Sequence, residues 1–244
     1  MKSKIIISLA ILPVIFFQNL YGQKNTSWDN NNITDSDQWL TGELFAEAYT
    51  IDAATYFNKE WLSGDIYLSN GEVVRNKLLR YNGLLDELLW KEPTSNNIVK
   101  LDKEAIRQFH FQNLYGDTSV SFRKIKIKRS IIADSSEIFA ELIYEGNLSL
   151  FVFHNFIVEG REHISRNGNS YEKNVYAEEP VYIFRYINNK TFVTLKLNRK
   201  SLFAFSPDNK NKIKEFLKSD KTGKFIYNTD LIRLTQFLNT IVNQ

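Results

Sequence analysis

The 244-residue chain contains no cysteine. Without thiols it can form no disulfide, thiolate nucleophile, zinc ribbon or iron–sulfur site. Glycine and proline are also scarce, with 10 and 4 residues. The sequence has no Gly-x-Ser-x-Gly motif, no paired Ser-x-x-Lys box and no glycine-rich loop that opens a helix after a strand. Nucleotide binding and acyl transfer by a serine nucleophile are therefore disfavoured.

The sequence has no large excess of charge and only one long apolar run. The formal net charge of +3 is too small to argue for a nucleic-acid partner. The apolar run extends from Ile5 to Phe17, contains Pro13 and follows Lys2 and Lys4. This layout is typical of a signal peptide and is too short for a membrane-spanning helix. We therefore expect export, cleavage after Gly22, and no transmembrane segment in the mature chain.

The composition of the chain favours a β-rich core, because aromatic residues make up 14% of it, led by 18 Phe and 12 Tyr. About 220 mature residues can bury roughly 70% of the unfolded surface, enough for one sizeable domain. The sequence divides into four predicted parts. These are a signal peptide (1–22), a polar leader with a short N-terminal element (23–60), an antiparallel β domain (61–205) and a C-terminal helical pair packed on it (206–244).

Two Asn-Gly dipeptides organise the start of the β domain. Asn70-Gly71 and Asn82-Gly83 are favoured centres of two-residue type I′ turns. They predict three antiparallel strands, Asp65–Ser69, Glu72–Tyr81 and Leu84–Trp90. The segment LLDELL also fits two turns of amphipathic helix, but the turn before it and Pro93 after it favour a strand.

Similar patterns predict further strands downstream. They cover Asn97–Asp102, Arg107–Asn113, Thr118–Lys128, Ile138–Tyr144, Leu148–Glu159, Pro180–Ile187 and Thr191–Leu197. The polar stretch RNGNSYEKN is interpreted as a loop, and Asn188-Asn189 as a turn. Nine or ten such strands indicate an α+β protein, mostly β, whose antiparallel meander forms a barrel or a sandwich.

The C-terminal residues change to a helical period. Ser206 is a good N-cap with Pro207 after it, which predicts a helix through Lys218. Thr229 can cap a second helix, whose apolar stripe contains Leu231, Leu234, Leu238 and Ile241. Because neither helix is apolar all round, both should pack against the β domain.

One region resembles a known group of proteins. Two stretches resemble exported proteins of Bacteroidota, namely AATYFNKEWLSGDIYLSNGEVVRNKLLRYN and NNIVKLDKEAIRQFHF. Those proteins pair a "Y…G-x-V-x-L-x-x-G" start with an "L-R-Y-N" strand and an "I-x-x-F" step. The matching residues are Tyr56, Gly64, Ile66, Leu68, Gly71, Leu79, Arg80, Tyr81, Asn82, Ile106 and Phe109. The resemblance covers about a quarter of the chain, at turn and core positions. It implies export in a Gram-negative cell with an envelope or extracellular role, and it transfers no catalytic residue.

The adjacent acids Asp86 and Glu87 are the first candidates for chemistry. On a strand, neighbouring side chains point to opposite faces, so these carboxylates cannot converge as a general acid and base. We expect one to face solvent and the other to lie at an edge or pair with a cation such as Arg80. The prediction is a structural role and no catalytic residue.

The chain has three histidines. Alternation with two phenylalanines predicts that His110 points away from the core. His154 lies in an apolar strand, where a core histidine with one satisfied nitrogen is the default. His163 follows Glu162 in a polar loop. A site made of Glu159, His154 and His163 is conceivable, but the spacing of the histidines does not match a metal site. We predict no metal and no cofactor.

The most prominent polar feature is SFRKIKIKR, residues 121–129. On a strand, Lys124, Lys126 and Lys128 share one face, with ammonium groups roughly 7 Å apart. Such a row could bind phosphates of lipopolysaccharide or an acidic glycan. The other interpretation is a solvated face that discourages edge-to-edge pairing.

These observations predict an exported, envelope-associated protein that acts as a non-catalytic binding or structural module. Its expected location is the periplasm or the extracellular space, with a peripheral position at the outer membrane as an alternative, and its partner would be an envelope protein, a glycan or a lipid headgroup. The rival hypothesis is a hydrolase with a dispersed acidic site. An enzyme should bring carboxylates or a histidine together in a pocket, whereas a binding protein should show a groove without perturbed acids.

Overall fold

The computed structural model describes residues 40–46, 53–112, 119–127, 137–166, 168–187, 192–219 and 228–242. The predicted signal peptide, most of the polar leader, Lys128 and the Asn188-Asn189 turn lie outside the described residues.

Thirteen strands are described, and they form two antiparallel sheets. In chain order they are β1 (Gly42–Leu44), β2 (Leu62–Leu68), β3 (Val73–Asn82), β4 (Glu87–Lys91), β5 (Ile98–Leu101), β6 (Ile106–Phe111), β7 (Val120–Lys126), β8 (Glu137–Tyr144), β9 (Leu148–Phe153), β10 (Phe156–Arg166), β11 (Asn169–Glu178), β12 (Val181–Tyr186) and β13 (Phe192–Leu195). Eleven strands form the main sheet, in the order β1-β5-β4-β3-β2-β6-β7-β8-β9-β12-β13. Strands β10 and β11 pair only with each other. The mostly antiparallel β prediction is confirmed.

The main sheet has an apolar core on each face. Because β1 and β13 are its unpaired edges, the described strands form no closed barrel, and a sandwich-like arrangement fits. Phe109 and Phe122 stack at 4.8 Å between ring centroids in the core over β2, β3, β6 and β7. Ile125, Phe151 and Ile183 lie in a separate core cluster. Burial on both faces explains why several strands read as continuous apolar runs rather than alternating ones.

Three helices are described after the sheet, namely α1 (Arg199–Phe205), α2 (Lys210–Ser219) and α3 (Asn228–Val242). The last two confirm the predicted pair, but not its caps. Helix α2 follows a 3₁₀ turn at Pro207–Asn209 that Ser206 does not cap with its side chain, and α3 begins at Asn228, so Thr229 lies inside it. Helix α1 was not predicted, and it begins where the Asn198 side chain accepts a hydrogen bond from the Ser201 N–H. Leu234 and Leu238 of α3 pack with Leu150 of β9. None of the described helices is both long and apolar enough to span a membrane.

The structure corrects both predicted type I′ turns. Gly71 has φ +95°, but Asn70 does not have positive φ, and the Leu68 carbonyl accepts a hydrogen bond from the Gly71 N–H at 3.1 Å. The hairpin therefore has a three-residue loop with glycine in the left-handed position. At the second hairpin neither Asn82 nor Gly83 has positive φ. A four-residue loop separates Asn82 from Glu87, its partner in the sheet.

The strand predicted over Leu84–Trp90 therefore begins later, at Glu87. The Asn82 side chain accepts a hydrogen bond from the Leu85 N–H at 3.1 Å, and Asp86 has φ +54°. The left-handed conformation of Asp86 ends the loop and is one that aspartate tolerates.

The predicted strand Leu148–Glu159 is also wrong, because β9 ends at Phe153 and β10 starts at Phe156. The stretch predicted to be a loop, residues 166–174, is instead the end of a two-stranded ribbon formed by β10 and β11, and it contains the turn at Gly168, with φ +78°, and the first part of β11. We call this pair of strands the ribbon. Its polar residues are compatible with strands because both faces of its outer half are exposed.

Candidate functional site

A cavity of about 260 Å³ lies where the ribbon meets the main sheet. Its lining combines three aromatic side chains, two carboxylates and one imidazole, contributed by Tyr56, Phe57, Phe156, Glu141, Glu178 and His154, and it also includes Ala54. We call it the Glu-His-Glu cavity.

Four chain segments position these side chains. Glu141 lies in β8 opposite Val152 of β9, and His154 follows two residues after Val152. Phe156 and Glu178 form the first pair of the ribbon. This arrangement brings residues separated by 13 and 24 positions around one imidazole ring.

The 53–57 segment and the β3–β4 loop complete the surroundings of the cavity. Tyr56 forms an isolated β-bridge with Asn82, and the Phe57 ring meets the His154 ring edge-on at 4.9 Å. A Cβ atom on Gly83 would lie 2.6 Å from the Phe156 ring and 2.9 Å from the His154 carbonyl oxygen. Only glycine permits this close approach.

Both ring nitrogens of His154 are held by carboxylates. Nε2 lies 2.8 Å from Glu141 Oε2, and Nδ1 lies 2.6 Å from Glu178 Oε1. Burial opposes the charged ring, but the hydrogen bonds and charges of the two glutamates outweigh it and raise the pKa of His154 from 6.5 to about 9. The ring is therefore an imidazolium that donates from both nitrogens at neutral pH. The expected core histidine with one satisfied nitrogen is wrong.

This protonation state limits the chemistry of the cavity. A general base needs a nitrogen that can accept a proton, and His154 has none at neutral pH. Its two partners also lie on opposite edges of the ring, so the ring nitrogens cannot converge on one ion. Within the described part of the chain, no group of three His, Asp or Glu side chains is arranged to hold a metal ion.

The conceivable site of Glu159, His154 and His163 is not assembled. His163 lies in β10 rather than in a loop, is 75% exposed and is 3.8 Å from Glu172 across the ribbon. Neither Glu159 nor His163 lines the cavity. The third histidine, His110, is on β6 with Nε2 3.4 Å from the buried Asp65 carboxylate.

A second cavity of about 560 Å³ is lined by both Asp86 and Glu87. The Asp86 carboxylate accepts hydrogen bonds from the Tyr81 hydroxyl at 2.7 Å and the Phe139 N–H at 3.1 Å, and it forms an ion pair with Lys103. Burial raises the pKa of Asp86, while these partners oppose the rise.

One of these acids pairs with a cation, as expected, and that cation is Lys103, the partner of Asp86. The Arg80 guanidinium carbon instead lies 3.7 Å from the centroid of the Tyr56 ring. Glu87 lies 3.5 Å from Lys100. The two adjacent acids therefore have different partners although they line the same cavity, and the strand alternation expected for them does not apply because Asp86 lies in the loop before β4.

The predicted lysine row is only partly described. The Lys124 ammonium donates to the carbonyls of Lys103 and Glu104, both at 3.1 Å, and lies 3.7 Å from the Glu137 carboxylate. Lys126 is exposed and opposite Glu137 in the sheet. Anion binding by Lys124, Lys126 and Lys128 stays a prediction.

Comparison with known proteins found no matching family model, no matching curated protein and no matching solved structure.

Proposed function

We propose that the chain is an exported, non-catalytic binding module of the cell envelope, and that the Glu-His-Glu cavity is its binding site. The observation that carries this proposal is the engagement of both His154 nitrogens by carboxylates. A protonated imidazole cannot act as a general base, and both carboxylates of the cavity are engaged with it, which favours recognition of a ligand over its activation. Export is supported by the layout of the first 22 residues and by the resemblance to exported proteins of Bacteroidota.

The lining of the cavity indicates the class of ligand. Two carboxylates and one imidazolium leave a net charge of −1, and the rings of Tyr56, Phe57 and Phe156 lie beside them. Acids combined with aromatic rings favour a cation such as a primary ammonium group. The partner would then be an envelope protein, a glycan or a lipid headgroup that carries an amino group.

The first prediction is that n-pentylamine binds the cavity more tightly than 1-pentanol, which has the same length but no charge. Because Glu178 is 44% exposed, Glu178→Gln should leave the protein folded and weaken pentylamine binding by about 10-fold, equivalent to about 1.4 kcal/mol. Isothermal titration calorimetry at pH 7 measures both affinities.

Glu172→Gln is the matched control for this titration, because Glu172 is a ribbon glutamate that does not line the cavity. It should bind pentylamine as the wild type does. Equal binding of the amine and the alcohol, or an unchanged affinity in Glu178→Gln, would contradict the proposal that the cavity binds an ammonium group.

A hydrolase with a dispersed acidic site is the second candidate. Two observations expected of an enzyme favour it, namely the meeting of two carboxylates with His154 in one cavity and the raised pKa of Asp86 in the other. Asp86 lines the 560 Å³ cavity together with Glu43, Glu87 and Asp102. Two acidic side chains in one cavity, one of them with a raised pKa, are the kind of pair that glycoside hydrolysis uses. A hydrolase should release products from envelope glycans that mass spectrometry detects, and folded Asp86→Asn protein should release none. Pentylamine binding without such products is the outcome expected for a binding module.

A further inference from the structure

The outer half of the ribbon is amphipathic, whereas its inner half carries apolar residues on both faces, including the pair Val158/Tyr176. In antiparallel pairs, directly opposite residues share a face and successive pairs alternate. One face, which we call the apolar face, carries the pairs Ile157/Ala177, Gly160/Val175, Glu162/Lys173 and Ile164/Tyr171. The opposite face of the outer half carries Arg161/Asn174, His163/Glu172 and Ser165/Ser170. In the outer half of the ribbon, this opposite face is therefore the polar one.

The large side chains of the apolar face are exposed. Ile157 is 44% exposed, Ile164 37% and Tyr171 49%. A two-stranded ribbon is marginally stable by itself in water, and an apolar face is normally covered. The apolar face therefore has the properties of an interaction surface.

We propose that the apolar face packs against the same face of a second copy of this chain, with the two-fold axis parallel to the ribbon. Such an axis places each β10 over the partner's β11 at the same height, and the interface is isologous. The inference is independent of the proposed ligand.

Charge complementarity selects this partner and this orientation. Lys173 and Glu162 lie 3.7 Å apart across the ribbon. A two-fold axis along the ribbon sets Glu162 against the partner's Lys173 and Lys173 against the partner's Glu162. An axis across the ribbon would instead place Glu162 near the partner's Glu162 and Lys173 near the partner's Lys173, and both contacts are repulsive. Glu162 is 50% exposed and Lys173 is 18% exposed, so the glutamate is the more accessible of the two.

The sizes of the apolar residues are complementary in the same arrangement. The axis places Val175 over the partner's Gly160, and Ile157 over the partner's Ala177, so that large residues face small ones. Ile164 meets the partner's Tyr171 at the outer end. Interlocking of large and small side chains is how stacked sheets fill the space of about 10 Å between them.

The test is sedimentation equilibrium of the full chain with charge-reversed variants. The wild type should be a dimer, and Glu162→Lys and Lys173→Glu should each weaken dimerisation at least 10-fold, because each creates two like-charge contacts. The double variant carrying both changes should regain the dimer. An equimolar mixture of the two single variants should form heterodimers, which also shows that each single variant is folded.

Arg161→Glu and Glu172→Lys are the matched controls, since this pair lies 3.5 Å apart on the opposite face of the same ribbon. Neither should change the dimer. A wild-type chain that stays monomeric at its highest soluble concentration would overturn the proposal and leave the face to a different partner. A dimer that tolerates both single reversals, or that is not restored by the double variant, would also overturn it.

Discussion

Replacing Asp86 with alanine is expected to lower the free energy of unfolding by about 3–5 kcal/mol, because it removes one member of a buried ion pair. The Asp86 side chain is 11% exposed. Its loss leaves the Tyr81 hydroxyl with the Phe139 carbonyl at 3.3 Å and deprives the Phe139 N–H of an acceptor. It also removes the counter-ion of Lys103. Urea denaturation at pH 7 measures the change.

Asparagine at the same position should have a smaller effect, about half as large. It retains an oxygen that can accept from Tyr81 and Phe139, but its amide presents a donor to the Lys103 ammonium. An alanine variant that lost less than 1 kcal/mol would show that Asp86 does not hold the β3–β4 loop to β8.

The neighbouring acid provides the matched control. Glu87 is 26% exposed on its side chain and lies 3.5 Å from Lys100, so Glu87→Ala should cost less than about 1 kcal/mol. Comparable losses in the two variants would contradict the different environments of these adjacent carboxylates.

The contrast between β4 and the loop before it shows which parts of the fold local patterns encode. The main-sheet strands from β2 onward and the last two helices were predictable, because apolar periodicity and turn residues are local signals. The start of β4 was not, since the loop is held by Asp86 contacts with Phe139, 53 residues away. The pattern LLDELL contains no trace of that partner.

The ribbon was missed although a signal for it exists. Asn167-Gly168 is the same dipeptide that located the first two hairpins. Its flanking segments are polar and lack the apolar alternation that predicts a half-buried strand. A ribbon with one hydrated face need not be rich in apolar residues, as the pairs His163/Glu172 and Arg161/Asn174 illustrate.

The Glu-His-Glu cavity depends both on local sequence signals and on contacts between residues distant in the sequence. The pairing of β8 with β9 could have suggested that Glu141 and His154 are close, once the register Glu141–Val152 was known. Glu178 could not have been added, because it reaches His154 only through the return strand of the ribbon. Spacing rules for metal ligands also do not detect an imidazole whose nitrogens face two separate carboxylates.

The second large effect is the pH dependence of stability caused by His154. The folded pKa of about 9 lies above the value of 6.5 for an ordinary histidine. The contribution of the His154 imidazolium to the free energy of unfolding is therefore fully present below pH 6.5 and is lost as the pH rises through about 9. The difference corresponds to about 2–3 kcal/mol, reduced from the full shift because Glu178 is 44% exposed and solvent weakens its interaction. Urea denaturation between pH 6 and pH 9.5 measures this loss.

Variants of two histidines separate this contribution from other titrations. His154→Gln can still donate to one glutamate but carries no charge, so its stability should be lower at pH 6 and nearly constant up to pH 9.5. His163→Gln should retain the wild-type slope, because His163 is 75% exposed. The raised pKa values of Tyr81, Tyr182 and Tyr186 start from 10.0 and act above this window. A wild-type protein whose stability stayed constant from pH 6.5 to 9, or a His154→Gln variant with the wild-type slope, would show that the imidazolium is not held by its two glutamates in solution.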